Sequence, residues 1–230
     1  LGPMLLVSLF GVTGWHMLTA YGLMHVGGGR AAIVAYTMPV WSAVLGALFL
    51  NERLRWHALA ALGLGMAGMA ALIGPDLGRL GATPLGTVLI LLAAFCWAAG
   101  PVGTKAWSWG IGTMALAGWQ LVLGGIPIVV VWLFLEFPGD FSHMSLAGVL
   151  ALLYVVFVAL VFCFTSFLRI VRLLPAGVAS ISMLAIPVVG VISSAWLLGE
   201  PIGLNEALAL LLVLAALSLV LLPGRTRRPA

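Results

Sequence analysis

Few side chains in this sequence could do chemistry, and His16 is the first candidate. It lies near the middle of an apolar stretch of helix length and is the only readily titratable group that the pattern places deep inside such a stretch. An ionisable side chain in that setting is a candidate for function, and histidine changes charge near neutral pH. His16 could handle a proton or contact a solute; alternatively, it is a neutral side chain hydrogen-bonded to Thr13 or Thr19.

Two prolines fall inside apolar helices at matching depths. Pro39 and Pro187 each remove a backbone hydrogen bond, which frees a carbonyl one turn back and allows the helix to bend. The pair indicates either two hinges that line a cavity or two packing kinks that touch no ligand. Both interpretations fit the sequence.

Aromatic and polar side chains that lie deep in apolar stretches complete the candidate binding site. A cavity for a small amphipathic solute needs aromatic walls and a few convergent polar groups. With His16, Pro39 and Pro187, the predicted substrate-binding residues are Tyr36, Trp97, Trp119, Gln120, Tyr154 and Ser182. Helix packing alone would also explain each of these. Tyr36 and Gln120 are favoured because one lies three residues before Pro39 and the other is an amide deep inside a predicted span.

The sequence predicts no catalytic residue, metal site or cofactor. It contains no HExxH, GxSxG or CxxC motif, and no carboxylate lies deep in an apolar stretch. Cys96 and Cys163 are interpreted as small buried residues. The positive charges are scattered, so the net charge of +4 does not indicate nucleic-acid binding.

The elements that must position these residues are membrane-spanning helices. Asp, Glu, Lys and Arg make up 7% of the chain and hydrophobic residues 63%, whereas soluble domains carry roughly 25% charged residues. About 20 apolar residues cross a bilayer as a helix. An all-α membrane protein with about eight spans is therefore predicted, at about 3–24, 30–50, 55–74, 84–106, 113–135, 146–168, 175–198 and 203–222.

The basic residues predict the orientation of these spans. An even number of crossings places both termini on one side, and eight of the ten Lys and Arg residues then share that side. Because cytoplasmic loops are enriched in Lys and Arg, both termini are predicted to be cytoplasmic. The eight residues are Arg53, Arg55, Lys105, Arg169, Arg172, Arg225, Arg227 and Arg228.

An internal repeat relates the two halves of the chain. An offset of 148 residues pairs Pro39 with Pro187 and Glu52 with Glu200. Five spans separate each pair, so the second copy is inverted, as in many secondary transporters whose site lies between the copies. The two glutamates are interpreted mainly as helix N-terminal caps, ahead of ion coupling.

The repeat predicts the domain boundaries. Residues 1–75 form the last three helices of a first repeat, 76–83 a linker, 84–223 a second repeat of five helices, and 224–230 a cytoplasmic basic tail. The same arithmetic places the start of the first repeat about two helices before Leu1. The expected fold is thus part of a ten-helix, five-plus-five arrangement.

Two stretches carry a resemblance to a known family. Tyr36-Thr37-Met38-Pro39, followed in the same helix by Leu48-Phe49-Leu50-Asn51-Glu52-Arg53, resembles an EamA-type domain of the drug/metabolite transporter superfamily. The segment from Ala185 to Pro201 is similar to the same pattern. The resemblance implies a ten-helix carrier in a bacterial inner (plasma) membrane, often an exporter of amino acids or other metabolites. The implied partners are the lipid bilayer and a small-molecule solute, with a homodimer left open.

The leading functional hypothesis is a transporter that works by alternating access between the two repeats. Without a deep carboxylate, uniport, exchange or a histidine-based coupling is favoured over the usual acidic relay. A channel or a lipid scramblase remains the alternative, and a membrane-embedded enzyme is less favoured because the catalytic motifs are missing.

Overall fold

The computed structural model describes residues 1–26, 31, 34–52, 56–72, 84–135, 145–198 and 203–221. These residues form helices and their connecting turns, with no strand among them, which confirms the predicted all-α class. The helices are α1 Gly2–Leu23, α2 Met38–Leu50, α3 Trp56–Leu72, α4 Pro84–Ala106, α5 Thr113–Leu135, α6 Leu146–Leu173, α7 Ala176–Ser182, α8 Ala185–Leu198 and α9 Leu204–Leu221.

Four of these helices are long and apolar enough to cross a membrane, namely α1, α4, α5 and α6. The ranges of α4 and α5 coincide with the predicted spans, and α6 extends beyond its predicted end to Leu173. The helices α2, α3 and α9 are apolar but shorter, and residues outside the described part of the chain flank them. The total of eight spans therefore stays a prediction.

The second and seventh predicted spans are each interrupted by a turn. Tyr36 and Thr37 form the turn before α2, and Met183 with Leu184 separates α7 from α8. Two hydrogen bonds from Thr37 close the first turn. Its N–H and its hydroxyl both donate to the Val34 carbonyl oxygen, at 3.1 and 2.7 Å. The predicted bends are thus complete breaks.

Each break lies just before its proline. Pro39 and Pro187 occupy the first turns of α2 and α8. The first N–H groups of a helix have no intrahelical acceptor, so a proline there removes no hydrogen bond and its ring favours the helical backbone angle. The two prolines start new helices and do not kink continuous ones.

The helix α4 is central to the packing and contacts α1, α2 and α6. One close approach is between α1 and α4, where a Cβ atom on Gly100 would lie 2.8 Å from the Gly11 Cα. Backbone meets backbone at this point, as in other membrane helix pairs with small residues at their interface. Other contacts join α5 to α1 and α6, α3 and α8 to α9, and α7 to α2, α3, α4, α6 and α9.

The packing face of α3 differs from the one that small-residue spacing suggests. Gly63, Ala67 and Ala71 recur at four-residue spacing, which predicts a close-packing face. Among the described residues, a Cβ on Gly63 would meet nothing within 4 Å, whereas Gly65 lies against Leu184 and Gly68 against Val213. The spacing prediction is wrong here because α3 has small residues on more than one face.

Candidate functional site: a central aromatic cavity

A cavity of about 200 Å³ lies between α1, α4, α5, α6 and the turn after α7. Its walls include four aromatic side chains, Trp15, Trp97, Phe164 and Phe167. The rings of Trp97 and Phe167 lie 5.0 Å apart with 34° between their planes. This separation is within the range of favourable aromatic pairs, so the pair forms a stable wall between α4 and α6.

The cavity is lined by residues that the predicted repeat pairs with one another. Eight of its lining residues form four pairs, each separated by 148 residues in the chain. The pairs are Gly11 with Ala159, Val12 with Leu160, Trp15 with Cys163, and His16 with Phe164.

Both sets of lining residues lie in or next to wide, π-helical turns. These turns run over Leu9–Gly14 within α1 and Val155–Cys163 within α6. Such turns are rare within α-helices and frequently mark functional sites. Shifted by 148 residues, the first π-helical segment falls inside the second. The backbone, as well as the lining side chains, therefore follows the predicted repeat.

His16 is the polar member of the cavity wall. Its Nδ1 atom lies 2.7 Å from the Val12 carbonyl oxygen, and its side chain is exposed. A carbonyl oxygen only accepts, so Nδ1 carries the proton and the neutral ring keeps Nε2 as an acceptor. His16 also lines a second space of about 490 Å³, which extends along α1 to Met24.

The hydrogen-bond partners suggested for His16 by the sequence are wrong. The Thr13 hydroxyl instead donates to the Gly124 carbonyl oxygen at 2.6 Å and so joins α1 to α5. The Thr19 hydroxyl is buried without a partner among the described residues. His16 instead bonds to the Val12 carbonyl oxygen, because a side chain on a helix lies close to the backbone of the preceding turn.

Three other predicted site residues lie at the helix breaks. Ser182 precedes the lining residue Met183, and its hydroxyl donates to the Val178 carbonyl at 3.1 Å. Tyr36 packs against the hydrophobic cluster that contains Ile181 and Leu184, so the two breaks adjoin one another. Pro39 is fully buried in the first turn of α2 and is not among the residues that line the aromatic cavity.

The side chain of Pro187 lies outside the described residues, although its backbone starts α8. The prediction that it contacts a solute therefore stays a prediction. Glu200 and the residues that follow Glu52 also lie outside the described part, so the predicted helix-capping roles of both glutamates stay predictions.

Gln120 joins two helices and does not line the cavity. It is 2% exposed, and its Nε2 donates to the Thr104 hydroxyl at 3.0 Å. The Thr104 carbonyl in turn accepts from the Trp109 indole N–H at 2.6 Å. Gln120 thus ties α5 to the end of α4.

Replacing Thr104 by valine is expected to destabilise the protein by about 1–3 kcal/mol, because the buried Gln120 amide loses its acceptor. Thermal denaturation of the intact gene product in detergent measures the loss. Adding Gln120→Leu should recover most of it, since neither buried polar group is then left unpaired. A double variant as unstable as the sum of both single variants would contradict this assignment.

Trp119 and Tyr154 lie on the outer surface, 55% and 64% exposed. Trp119 borders a groove with Trp107 and Trp109 near the end of α4. Neither side chain is brought to the cavity. Both helices are apolar on all sides, so the sequence contains no signal for which face points inward.

Several lining residues were missed by the sequence predictions, including Trp15, Phe164, Phe167 and Met183. The predicted repeat contained a signal for one of them, because its offset of 148 residues pairs His16 with Phe164. Cys163 was predicted to be a small buried residue, but it is exposed and lines the cavity, so that prediction is wrong.

Comparison with known proteins identifies the family of this chain. A model of the EamA-like transporter family matches residues 1–74 and 84–222. The chain belongs to this family. The EamA-like chain is 30% identical over 210 residues to a "Probable amino-acid metabolite efflux pump" of Salmonella typhimurium, a match covering 88% of the chain and 70% of that relative.

Other relatives are also membrane transporters by name. The "Uncharacterized inner membrane transporter YedA" of Escherichia coli is 29% identical over 238 residues, covering 100% of the EamA-like chain and 74% of the relative. A solved crystal structure superposes with a TM-score of 0.86 at 18% identity, covering 97% of this chain and 79% of the other. The protein is therefore a membrane transporter with a known fold.

Proposed function

We propose that the protein is a secondary transporter that moves a small metabolite by alternating access between two inverted repeats. The four pairs of cavity-lining residues carry this proposal, since each pair is separated by the repeat offset of 148 residues. A cavity built from equivalent positions of two halves lies between them, which is where inverted-repeat transporters bind their substrates.

The packing of α3 against α9 supports the same symmetry. Along α3 the buried positions include Ala61, Gly65 and Gly68. The buried positions of α9 are their equivalents at an offset of 148 residues, namely Ala209, Val213 and Ala216. The family model also matches the chain in two segments, one in each proposed repeat.

The residues of the cavity wall favour a small amphipathic substrate that has a flat or apolar part. Its aromatic side chains suit such a part, and a volume of about 200 Å³ limits its size. The free Nε2 of His16 can accept one hydrogen bond from the solute. Amino acids and related metabolites fit this description, and the name of the efflux-pump relative favours export.

Reconstitution in liposomes tests the proposal. The intact gene product is expected to take up one member of a panel of amino acids, nucleosides and small aromatic compounds, with saturation and with stimulation by solute on the opposite side. Protein-free liposomes are the control. Transfer of labelled lipid between leaflets without any solute counterflow would reject the carrier and favour a scramblase; solute flux without counterflow would favour a channel.

Replacing His16 by glutamine is expected to alter the pH dependence of transport, because a histidine side chain can take up and release a proton and glutamine cannot. Initial rates at several pH values measure the effect. Cys163, the other ionisable residue described in the cavity wall, provides the control, and Cys163→Ser should keep the wild-type profile. An unchanged profile in the glutamine variant would remove His16 from proton handling.

A further inference from the structure

We propose that Lys105 is a gating residue, whose ammonium group closes the protein at the face where α2, α4 and α6 end. The inference rests on the proposed function, because a gate has a role only where the two repeats move against each other. In the state described here, Lys105 holds three helix ends together, and opening at this face requires it to release them.

Lys105 makes two polar contacts at this face. Its Nζ atom lies 2.5 Å from the Glu52 Oε1 atom and 2.9 Å from the Leu174 carbonyl oxygen. Lys105 is in the last turn of α4, Glu52 follows α2, and Leu174 follows α6. One cation thus links the ends of three helices.

The contact with Glu52 crosses between the proposed repeats. Under the repeat assignment, α2 belongs to the first copy, and α4 and α6 belong to the second. Rocking of one repeat away from the other at this face would separate Glu52 from Lys105. The contact with Leu174 stays within the second repeat and keeps Lys105 in place.

The electrostatics of the helix ends favour a cation here. The C-terminus of a helix carries a partial negative charge, and three C-termini converge around Lys105 together with the Glu52 carboxylate. The Lys105 and Glu52 side chains are 28% and 17% exposed, so solvent and salt screen their attraction less than that of a fully exposed pair.

The Lys105 contacts lie on the same two helices as the aromatic pair of the cavity wall. Trp97 precedes Lys105 by eight residues on α4, which corresponds to about 12 Å at the rise of an α-helix. Its partner Phe167 precedes Leu174 by seven residues on α6. The Lys105 contacts therefore lie about two helical turns from the aromatic pair, along the same two helices.

Arg172 provides a matched control at the same face. Its Nη1 atom donates to the Thr113 hydroxyl at 2.8 Å and joins α6 to α5. Both helices belong to the second proposed repeat. Loss of this contact removes a cationic hydrogen bond without releasing one repeat from the other.

Cys163 lines the cavity, so a water-soluble reagent added at the Lys105 face reaches it faster once the helix ends at that face separate. The intact gene product is labelled in a Cys96→Ala background with a membrane-impermeant methanethiosulfonate reagent, added from the Lys105 face. Lys105→Gln and Glu52→Gln are each expected to raise the labelling rate by about fivefold or more, a typical coupling between conformational states. Arg172→Gln should leave the rate unchanged.

Charge exchange gives the decisive comparison. Combining Lys105→Glu with Glu52→Lys should return the rate part of the way towards that of the parent, because the ion pair is restored in reverse while the bond to the Leu174 carbonyl is lost. If the Lys105 variants do not accumulate as folded protein, Glu52→Gln still removes the pair and leaves the ammonium bound to Leu174. Unchanged labelling in Glu52→Gln overturns the gate.

Failure of the gate and failure of the transport function give different results. Saturable, trans-stimulated uptake with unchanged labelling leaves the transporter in place and rejects Lys105 as its gate. Increased labelling without solute counterflow in any condition shows that the contact controls access to the cavity of a protein that is not a carrier.

Discussion

Transport should fall at least about tenfold when Trp97 is replaced by alanine. The substitution removes one ring of the Trp97–Phe167 pair and most of the aromatic wall contributed by α4. Loss of an aromatic pair together with the contact to a bound solute is worth about 1.4 kcal/mol or more, which corresponds to one factor of ten. Initial rates of trans-stimulated uptake into liposomes measure the change.

The matched control for this prediction is Trp119→Ala. Trp119 has the same side chain but lies on the outer surface, 55% exposed, away from the cavity. Its removal should leave uptake within about twofold of the wild type, since isolated surface substitutions have small effects. Trp97→Phe should retain much of the activity because it keeps an aromatic wall. Equal losses in Trp97→Ala and Trp119→Ala would show that the cavity is not the solute site.

Replacing Gly100 by leucine should destabilise the protein by about 3 kcal/mol or more, at the upper end of the usual cost of overpacking. A Cβ atom alone would lie 2.8 Å from the Gly11 Cα, so the new side chain meets backbone and not a flexible neighbour that could move. α1 and α4 would have to separate along their shared face. Thermal denaturation in detergent, followed by size-exclusion chromatography, measures the loss.

Gly118→Leu is the control, because a Cβ on Gly118 in α5 would meet nothing within 4 Å. Leucine is also a better helix former than glycine, so this variant should be at least as stable as the wild type. A Gly100→Leu protein that melts at the same temperature as Gly118→Leu would mean that α1 and α4 do not meet at this point.

The positions of the helices were largely predictable from the sequence. The spans at 84–106 and 113–135 coincide with α4 and α5, because hydrocarbon thickness sets the length of an apolar segment and charged or helix-breaking residues mark its ends. The breaks before Pro39 and Pro187 were also visible as a pair, although the sequence predicted bends and the structure has complete interruptions. Proline restricts the local backbone wherever it occurs, which makes it a strong local signal.

The candidate site was predictable only in part. His16 and Trp97 line the cavity, whereas Trp119 and Tyr154 face outward and Gln120 forms a buried bond between helices. Depth along a helix can be read from the sequence, since it depends on counting residues from the span ends. The direction in which a side chain points around an apolar helix cannot be read from the sequence.

The sequence by itself determined that this is a helical membrane protein, where its main helices lie and that its two halves share paired prolines and glutamates. Only the tertiary structure decided that Trp97 faces Phe167, that Gly65 and not Gly63 lies in a packed interface, and that Lys105 meets Glu52. In a bilayer, lipid and protein interior are equally apolar, so hydrophobicity does not select the inward face of a helix. Shape and close contact between helices make that selection, and both depend on residues far apart in the chain.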